Sequence, residues 1–578
     1  MTASPSENRL SLAGYLGLAA VVLLSILPGF FSLPASDRDE ARYAQAARQM
    51  METGDYVDIR FQEQARHVKP AGIYWMQVVA TQPFGGEDAP IWAHRIPSAL
   101  GILIAAMATA LLGARIGGPS VGFVAGALVA LALSPSLEAR IAKTDAMLLA
   151  CGAAAQAALF FLLTKPKGSA APNFIGAPLL FWAASGAAIM VKGPIITMVS
   201  SATILVYGLW TRDWGVVKRL KPLLGLLVAA AVGLPWIVLI TLQTNGAFIE
   251  EAVGHALLGK VAESDDSHAG PLGYHTMLLP VTFFPGVLLL GLATGAAWLK
   301  RAQPAGIFLI AWAAPTWLIF EFVATKLPHY VIPAFPAIAI LAALGLKDAP
   351  AVLEKAFARW AHRAAAALYT LVALLLGAVP IVARAYLSAD EATREDAGAL
   401  FAALPASATP IDLAALAAGL AAAVSGAVFA AKPGRASFAG VAAMTIILYT
   451  VVFEGAAPRM DRLWPSHHAG AVVADLGGCD ERTTATAGYR EPSNVFYLGT
   501  ETVLGDGAEA AGVIEKNPTC GVAVIDRSER RAFDEAAARA GFRTETVGVV
   551  EGHNVVKGRD LVLDILVHED SSLTKQGL

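Results

Sequence analysis

Thirteen stretches of this chain are apolar for long enough to cross a bilayer, and nothing else in it restricts the fold as strongly. They fall at roughly 10–33, 92–114, 119–137, 145–164, 174–191, 194–210, 222–242, 277–298, 305–323, 329–346, 364–385, 411–431 and 437–455. A span needs about 17–25 apolar residues. Hydrocarbon offers the backbone no water, so each run must satisfy its own hydrogen bonds as a helix. Composition agrees: 56% of the 578 residues are hydrophobic and 15% charged, against roughly 25% charged in soluble proteins. The expected product is a polytopic α-helical membrane protein. The first run is too long for the core of a cleavable signal peptide and lacks a small-residue cleavage site, so it reads as a retained helix. A net charge of −3, with no basic patch interleaved with aromatics, gives no sign of nucleic acid as a partner.

The basic residues set the expected orientation. With the N-terminus in the cytoplasm, the alternate short loops hold Lys165 and Lys167; Arg212, Lys218, Arg219 and Lys221; Lys300 and Arg301; Lys347, Lys355 and Arg359; Lys432 and Arg435. That is the positive-inside pattern. An odd number of spans then places the C-terminus outside. Three outer segments, 34–91, 243–276 and 386–410, are long. Two domains are expected: a membrane domain over 1–455, whose outer loop 34–91 carries juxtamembrane helices, and a small outer α/β domain over 456–578. In the latter, "CGVAVID" (520–526) and "DLVLDILVHE" (560–569) read as strands and "RAFDEAAARAGF" (531–542) as an amphipathic helix ending at a glycine. Cys479 and Cys520 lie in that domain, where a disulfide is permitted but not required; Cys151 sits in an apolar run.

Charge also collects on the face opposite to the basic loops. The first outer loop opens with "SDRDEARYAQAARQMMETGDY" (36–56). Asp37 and Glu40 have the spacing of a capping box, and acids suit a helix N-terminus. Tyr43, Ala47, Met50 and Met51 form an apolar face, and Gly54 is the stop. That helix is expected along the membrane surface. The cap leaves Asp39 over, beside the bilayer. Further along, "RHVKPAGIYW" (66–75) carries Arg66 and Lys69, with Tyr74 and Trp75 at interfacial depth. "EARIAKTDAML" (138–148) carries Arg140, Lys143 and Asp145; "MVKGP" (190–194) carries Lys192; "TKLPHYVIPAFP" (325–336) carries Lys326, His329 and Tyr330. One such lysine is explained by snorkelling to the headgroups. The set points to an anionic lipid headgroup, because ionisable groups at membrane depth are functional candidates by default. No P-loop or dinucleotide fingerprint occurs.

These stretches, in this order, resemble the GT-C superfamily of polytopic glycosyltransferases, family 39, which contains protein O-mannosyltransferases and the lipid A aminoarabinose transferases. The nearer likeness is to the aminoarabinose-transferase-like branch, and it extends over essentially the whole chain. The resemblance implies a GT-C fold and an inverting transfer of a sugar from a polyprenyl-phosphate carrier to a lipid A-like or other envelope acceptor. It implies Asp39 at the reaction centre with Glu40 beside it, and Lys69 on the carrier phosphate. Arg66, Tyr74, Arg140, Lys143, Asp145, Lys192, Lys326, His329 and Tyr330 are the remaining substrate-binding candidates. Some relatives build a metal site from a Glu preceding the "KP" lysine and histidines of the loop after the seventh span. Here Val68 stands at the Glu position, so no cofactor is required; His255 and His268 remain candidate ligands, and His67 could substitute. The expected partners are the carrier-linked donor, a lipid or glycan acceptor and membrane lipids, with the chain a monomer in the bacterial inner membrane.

Two other functions fit less well. A protein O-mannosyltransferase-like enzyme would use the same donor chemistry on a different acceptor. A transporter or lipid flippase would place charge near the midplane and often show internal repeats. Here the charge lies at outer helix ends and no repeat is visible.

Overall fold

The computed structural model describes residues 9–67, 69–164, 176–250, 270–479 and 481–575. Among them, six helices are long and apolar enough to cross a membrane alone: Ile91–Gly117, Asp145–Leu163, Pro304–Phe322, Ala356–Ser388, Pro410–Ala431 and the continuous Arg435–Arg459. Two bent helix pairs are long and apolar enough only when taken together: Pro222–Gly233 with Pro235–Gln243 at 51°, and Tyr274–Thr282 with Gly286–Lys300 at 108°. Prolines at the breaks remove helix N–H donors and force the bends. Shorter apolar helices, Leu12–Ile26, Pro119–Leu131, Gly176–Lys192, Ile195–Thr211 and Ile332–Lys347, occupy the remaining apolar runs. Every run anticipated from the sequence therefore contains a helix or a bent pair. Large apolar side chains point outward, with Leu12 75%, Leu223 81% and Leu242 71% exposed. Such a surface is stable against lipid and not against water. This is a multi-pass membrane protein.

The first outer loop folds into a compact cap. Helix Asp39–Thr53 ends at Gly54, whose φ of 70° is open to glycine at little cost. Its apolar face does not lie on lipid: Tyr43, Ala47 and Met50 are buried with Ile73, Tyr74, Val78, Trp236 and Ile240. The expected capping box is also absent. The residue before the helix is Arg38, at φ 63° and ψ −107°, with no side-chain cap. Glu40 instead reaches back to the Ser36 N–H and hydroxyl, 2.9 and 3.0 Å away, and pairs with buried Arg95. Asp37 turns the other way, accepting hydrogen bonds from the Tyr489 hydroxyl at 2.9 Å and from Ser493. A carboxylate beside a buried guanidinium gains more from the ion pair than from a helix cap.

The C-terminal unit is a mixed sheet covered on both faces. Strand order is Val503–Gly505, Thr483–Ala487, Gly521–Asp526, Arg559–His568, Thr544–Asn554. The first three are parallel and the last two antiparallel to their neighbours. Helices Gly507–Lys516 and Arg530–Ala540 cover one face through Ala510, Ile514, Phe533 and Ala537. Helix Pro465–Ala474 covers the other through Ala469 and Val473. Cys479 and Cys520 are joined in a disulfide. The unit sits directly on the first outer loop. The Tyr497 hydroxyl accepts from the Ala35 N–H at 2.7 Å, and Gln62 donates to the Thr500 and Thr502 carbonyls at 2.8 and 2.7 Å.

Candidate functional site

Four of the charged segments read from the sequence meet at one end of the helix bundle. Asp145 opens helix Asp145–Leu163, and Lys192 closes helix Gly176–Lys192. Lys192 Nζ lies 2.5 Å from Asp145 Oδ1. Lys143 Nζ is 3.0 Å from Glu138 Oε1 and 3.9 Å from Asp145 Oδ2. His329 stands between the two acids, 3.7 Å from each. Lys192 also lies over the Tyr330 ring, 5.6 Å from its centroid. The "KP" segment reaches the same place because Gly72 has no side chain. A Cβ there would sit 2.5 Å from the Met190 carbonyl oxygen, so glycine allows the loop to pack directly on "MVKGP".

Together they frame a cavity of about 340 Å³. Lys69, Asp145, Lys192, His329 and Tyr330 line its charged end; Leu148, Ile195, Met198, Phe320, Val323 and Ile332 line the rest. A cluster of cations at the mouth of an apolar slot suits an amphiphile with an anionic head. Asp39 is exposed at the start of its helix and makes no hydrogen bond or ion pair among the described residues. Its charge is felt by Lys143, His329 and Tyr330 on the cavity side and by Arg42, Arg66 and Tyr74 on the loop side.

Not every anticipated residue faces this cavity. Glu40, expected beside the reaction centre, is 1% exposed. Its Oε1 accepts from Arg95 and the Ala142 N–H, and its Oε2 from Arg95 and Ser36. Both oxygens are taken up by protein donors, so its geometry is that of a bracket. Arg140 is likewise a bracket: it is buried, donates to the Ser25, Pro28 and Ser136 carbonyls, and stacks on Phe453. Lys326 folds back onto the Val323 carbonyl, 3.0 Å away, and lies outside the cavity lining. Tyr74 is fully buried, not interfacial; its ring lies 5.2 Å from Tyr43, and its hydroxyl accepts from Arg66 at 3.2 Å. Burial pushes the Asp37 carboxyl above its ordinary pKa, against the hydrogen bonds from Ser493 and Tyr489.

The sequence reading missed two acidic or basic groups that organise the site. Glu138 was quoted within its motif without a role, yet it holds Lys143 and faces His329. Arg95 was absorbed into an apolar run. An ionisable residue at a span end was the available signal for both. No three His, Cys, Asp or Glu side chains among the described residues converge to hold a metal. His255, His268 and Val68 lie outside the described residues, and His67 pairs with Asp58 at 2.9 Å.

The fold is a polytopic helix bundle with outer loops packed over a slot that is part charged and part apolar. Over 96% of its length the chain superposes, at a TM-score of 0.73 and 20% identity, on 98% of the crystal structure of ArnT from Cupriavidus metallidurans bound to undecaprenyl phosphate. The family model for dolichyl-phosphate-mannose-protein mannosyltransferases matches residues 26–246. Two undecaprenyl phosphate-α-4-amino-4-deoxy-L-arabinose arabinosyl transferases are similar in sequence. One, from Pseudomonas fluorescens, is 28% identical over 347 residues, 57% of this chain and 60% of the relative. The other, from Erwinia tasmaniensis, is 29% identical over 307 residues, 53% of this chain and 54% of the relative. The match therefore spans less than two thirds of either relative's length. The chain is thus similar in sequence to these arabinosyl transferases over about half its length and shares the fold of the ArnT structure.

Proposed function

We propose that the chain is an inverting glycosyltransferase that moves a sugar from a polyprenyl-phosphate carrier to a lipid A-like envelope acceptor on the periplasmic side of the inner membrane. The carrying observation is the slot with Lys69, Lys192 and Tyr330 at its charged end and apolar side chains behind. The carrier chain fits the apolar walls, and its phosphate meets the lysines. An acceptor oxygen attacks the anomeric carbon from the face opposite the carrier. As the new bond forms, the carbon–oxygen bond to the carrier phosphate breaks, and its electron pair leaves with that phosphate. Lys69 and Lys192 stabilise the charge that develops there in a partly dry site. Asp145 holds Lys192 in place. Asp39 orients the acceptor and takes its proton where the nucleophile is a hydroxyl. The names of the relatives support the donor class, and the disulfide-bonded C-terminal unit suits an oxidising compartment.

Purified protein in nanodiscs, given undecaprenyl-phosphate-linked aminoarabinose and lipid A, should yield lipid A heavier by one sugar in a mass spectrum. Lys192→Ala should lower turnover by about 10²-fold, the scale of losing one donor to a developing charge. If no sugar moves to lipid A, envelope glycan or protein, and the carrier instead crosses the bilayer, the transferase reading fails.

The basic alternate loops support a cytoplasmic N-terminus and a periplasmic C-terminus. A C-terminal alkaline phosphatase fusion should be active. An inactive fusion, with a cytosolic reporter active at the same position, would turn the site to the wrong side.

A further inference from the structure

His275 is the second residue of helix Tyr274–Thr282, and Glu321 stands at the end of helix Pro304–Phe322. Both side chains are buried, and neither is among the residues that line the slot. Nδ1 of His275 lies 2.8 Å from Glu321 Oε2, and Nε2 lies 3.2 Å from the Leu327 carbonyl oxygen. Glu321 also accepts from the His275 N–H at 3.2 Å and from the Thr276 hydroxyl at 3.3 Å. The Leu327 carbonyl accepts a second hydrogen bond, from the Tyr330 N–H at 3.0 Å. This second bond closes a turn over 327–330, with Pro328 at the position where proline pre-sets the backbone. The last two residues of that turn, His329 and Tyr330, line the slot beside Lys192 and Asp145. An imidazole with an acceptor at each nitrogen makes both bonds only as imidazolium; a neutral ring aims a lone pair at one of them. The carboxylate is the stronger acceptor, so the bond given up with the proton is the one to Leu327.

We propose that His275, as imidazolium, is a positioning residue: through the Leu327 carbonyl it holds the turn that sets His329 and Tyr330 against the carrier phosphate. The inference rests on the transferase reading above. Glu321 is the acid that faces the ring. On its own helix the Tyr274 ring stands edge-on at 5.1 Å. Lys326, beside Leu327, sends its ammonium to the Val323 carbonyl. Glu138, on the helix Leu133–Glu138 packed against Tyr274–Thr282, is spent on Lys143. Helix Ala356–Ser388 packs there too; its Tyr369 donates to the Ala422 carbonyl, His362 faces the Ala430 carbonyl and Arg384 pairs with Asp412.

Two amides of similar size separate the two ring nitrogens. A glutamine amide nitrogen reaches near the place of Nε2, an asparagine amide nitrogen near that of Nδ1. The probe is undecaprenyl phosphate, bound to full-length protein in detergent at about pH 6 and about pH 8.5, on either side of the ordinary histidine pKa. At the lower pH, His275→Asn should bind about tenfold more weakly than wild type, the scale of one charge-assisted hydrogen bond, while His275→Gln stays close to wild type. Raising the pH should weaken wild type more than His275→Gln, whose donor does not titrate. The phosphate and His329 titrate in all three proteins, so the comparison isolates His275. In turnover, His275→Asn should raise the donor KM and keep most of kcat at saturating donor. Nitrogen-15 NMR of histidine-labelled wild type, with the His275 signal assigned by its loss in His275→Gln, should show both ring nitrogens protonated at the lower pH. The proposal is overturned if the two variants bind alike there, if wild type is no more pH-dependent than His275→Gln, or if the ring is neutral at the lower pH. Wild type that fails to bind undecaprenyl phosphate counts instead against the transferase reading.

Discussion

Asp39→Asn should leave the protein folded and lower transfer by about 10²-fold or more, the scale of a general base or a fixed orienting charge. The case rests on contrast within one short segment. Asp37, Asp39 and Glu40 stand within four residues, yet only Asp39 is exposed and without a hydrogen-bond partner among the described residues. Asp37 is spent on Tyr489 and Ser493, and Glu40 on Arg95, Ser36 and Ala142. Losing the Asp39 charge therefore breaks nothing in the fold, and a surface substitution of this kind usually changes stability by less than about 0.5 kcal/mol. It does remove a charge that acts on Lys143, His329 and Tyr330 beside the slot and on Arg42 and Arg66 of the loop. Turnover is measured at saturating donor and acceptor, with melting in the same detergent as control. Near-normal turnover would reduce the segment to a folded surface loop.

The helices were legible because lipid allows one solution to each apolar run, and the site was legible as far as motifs adjoin span ends. Lys192, Asp145, Lys143, His329 and Tyr330 came together as their positions suggested. Glu40, Arg140 and Lys326 did not, because sequence order gives the depth of a residue but not the direction of its side chain. Glu40 and Arg140 found partners on other segments, Arg95 and the Ser25 and Pro28 carbonyls, and Lys326 folded back onto the nearby Val323 carbonyl. The capping box failed for the same reason. Its spacing was right, and Arg95, remote in sequence, offered Glu40 a better partner. In the C-terminal unit the strands Gly521–Asp526 and Arg559–His568 were readable, the first buried throughout and the second buried over most of its length. The strand "TTATA" (483–487) has no large apolar side chain to mark it, and Gly548 and Gly552 interrupt "TETVGVVEGHN" (544–554).

Arg95→Met should be the most destabilising single change in the loop region, costing about 3–5 kcal/mol, because it leaves a buried carboxylate without its counter-charge. Arg95 is 1% exposed. Its guanidinium donates to Glu40 at 2.7 and 3.2 Å and to the carbonyls of Phe30, Leu33 and Pro34 at 2.8–2.9 Å. One side chain thus ties helix Ile91–Gly117 to the end of the first membrane helix and to the segment that carries Asp39. A loss of that size is a large part of the roughly 5–15 kcal/mol that holds a typical domain together, so expression and melting temperature should both fall. Arg95→Met/Glu40→Leu should melt higher than Arg95→Met alone, since removing both charges deletes the unpaired group while the pair itself contributes little net stability. The same double variant separates the two acids of the motif. If Glu40 is a bracket and Asp39 acts on the acceptor, the surviving folded fraction of the double variant keeps measurable transfer, whereas folded Asp39→Asn does not. Melting of Arg95→Met at the wild-type temperature would show that the buried pair carries no strain-bearing load. Transfer by the double variant as low as by Asp39→Asn, per folded molecule, would return Glu40 to the reaction centre.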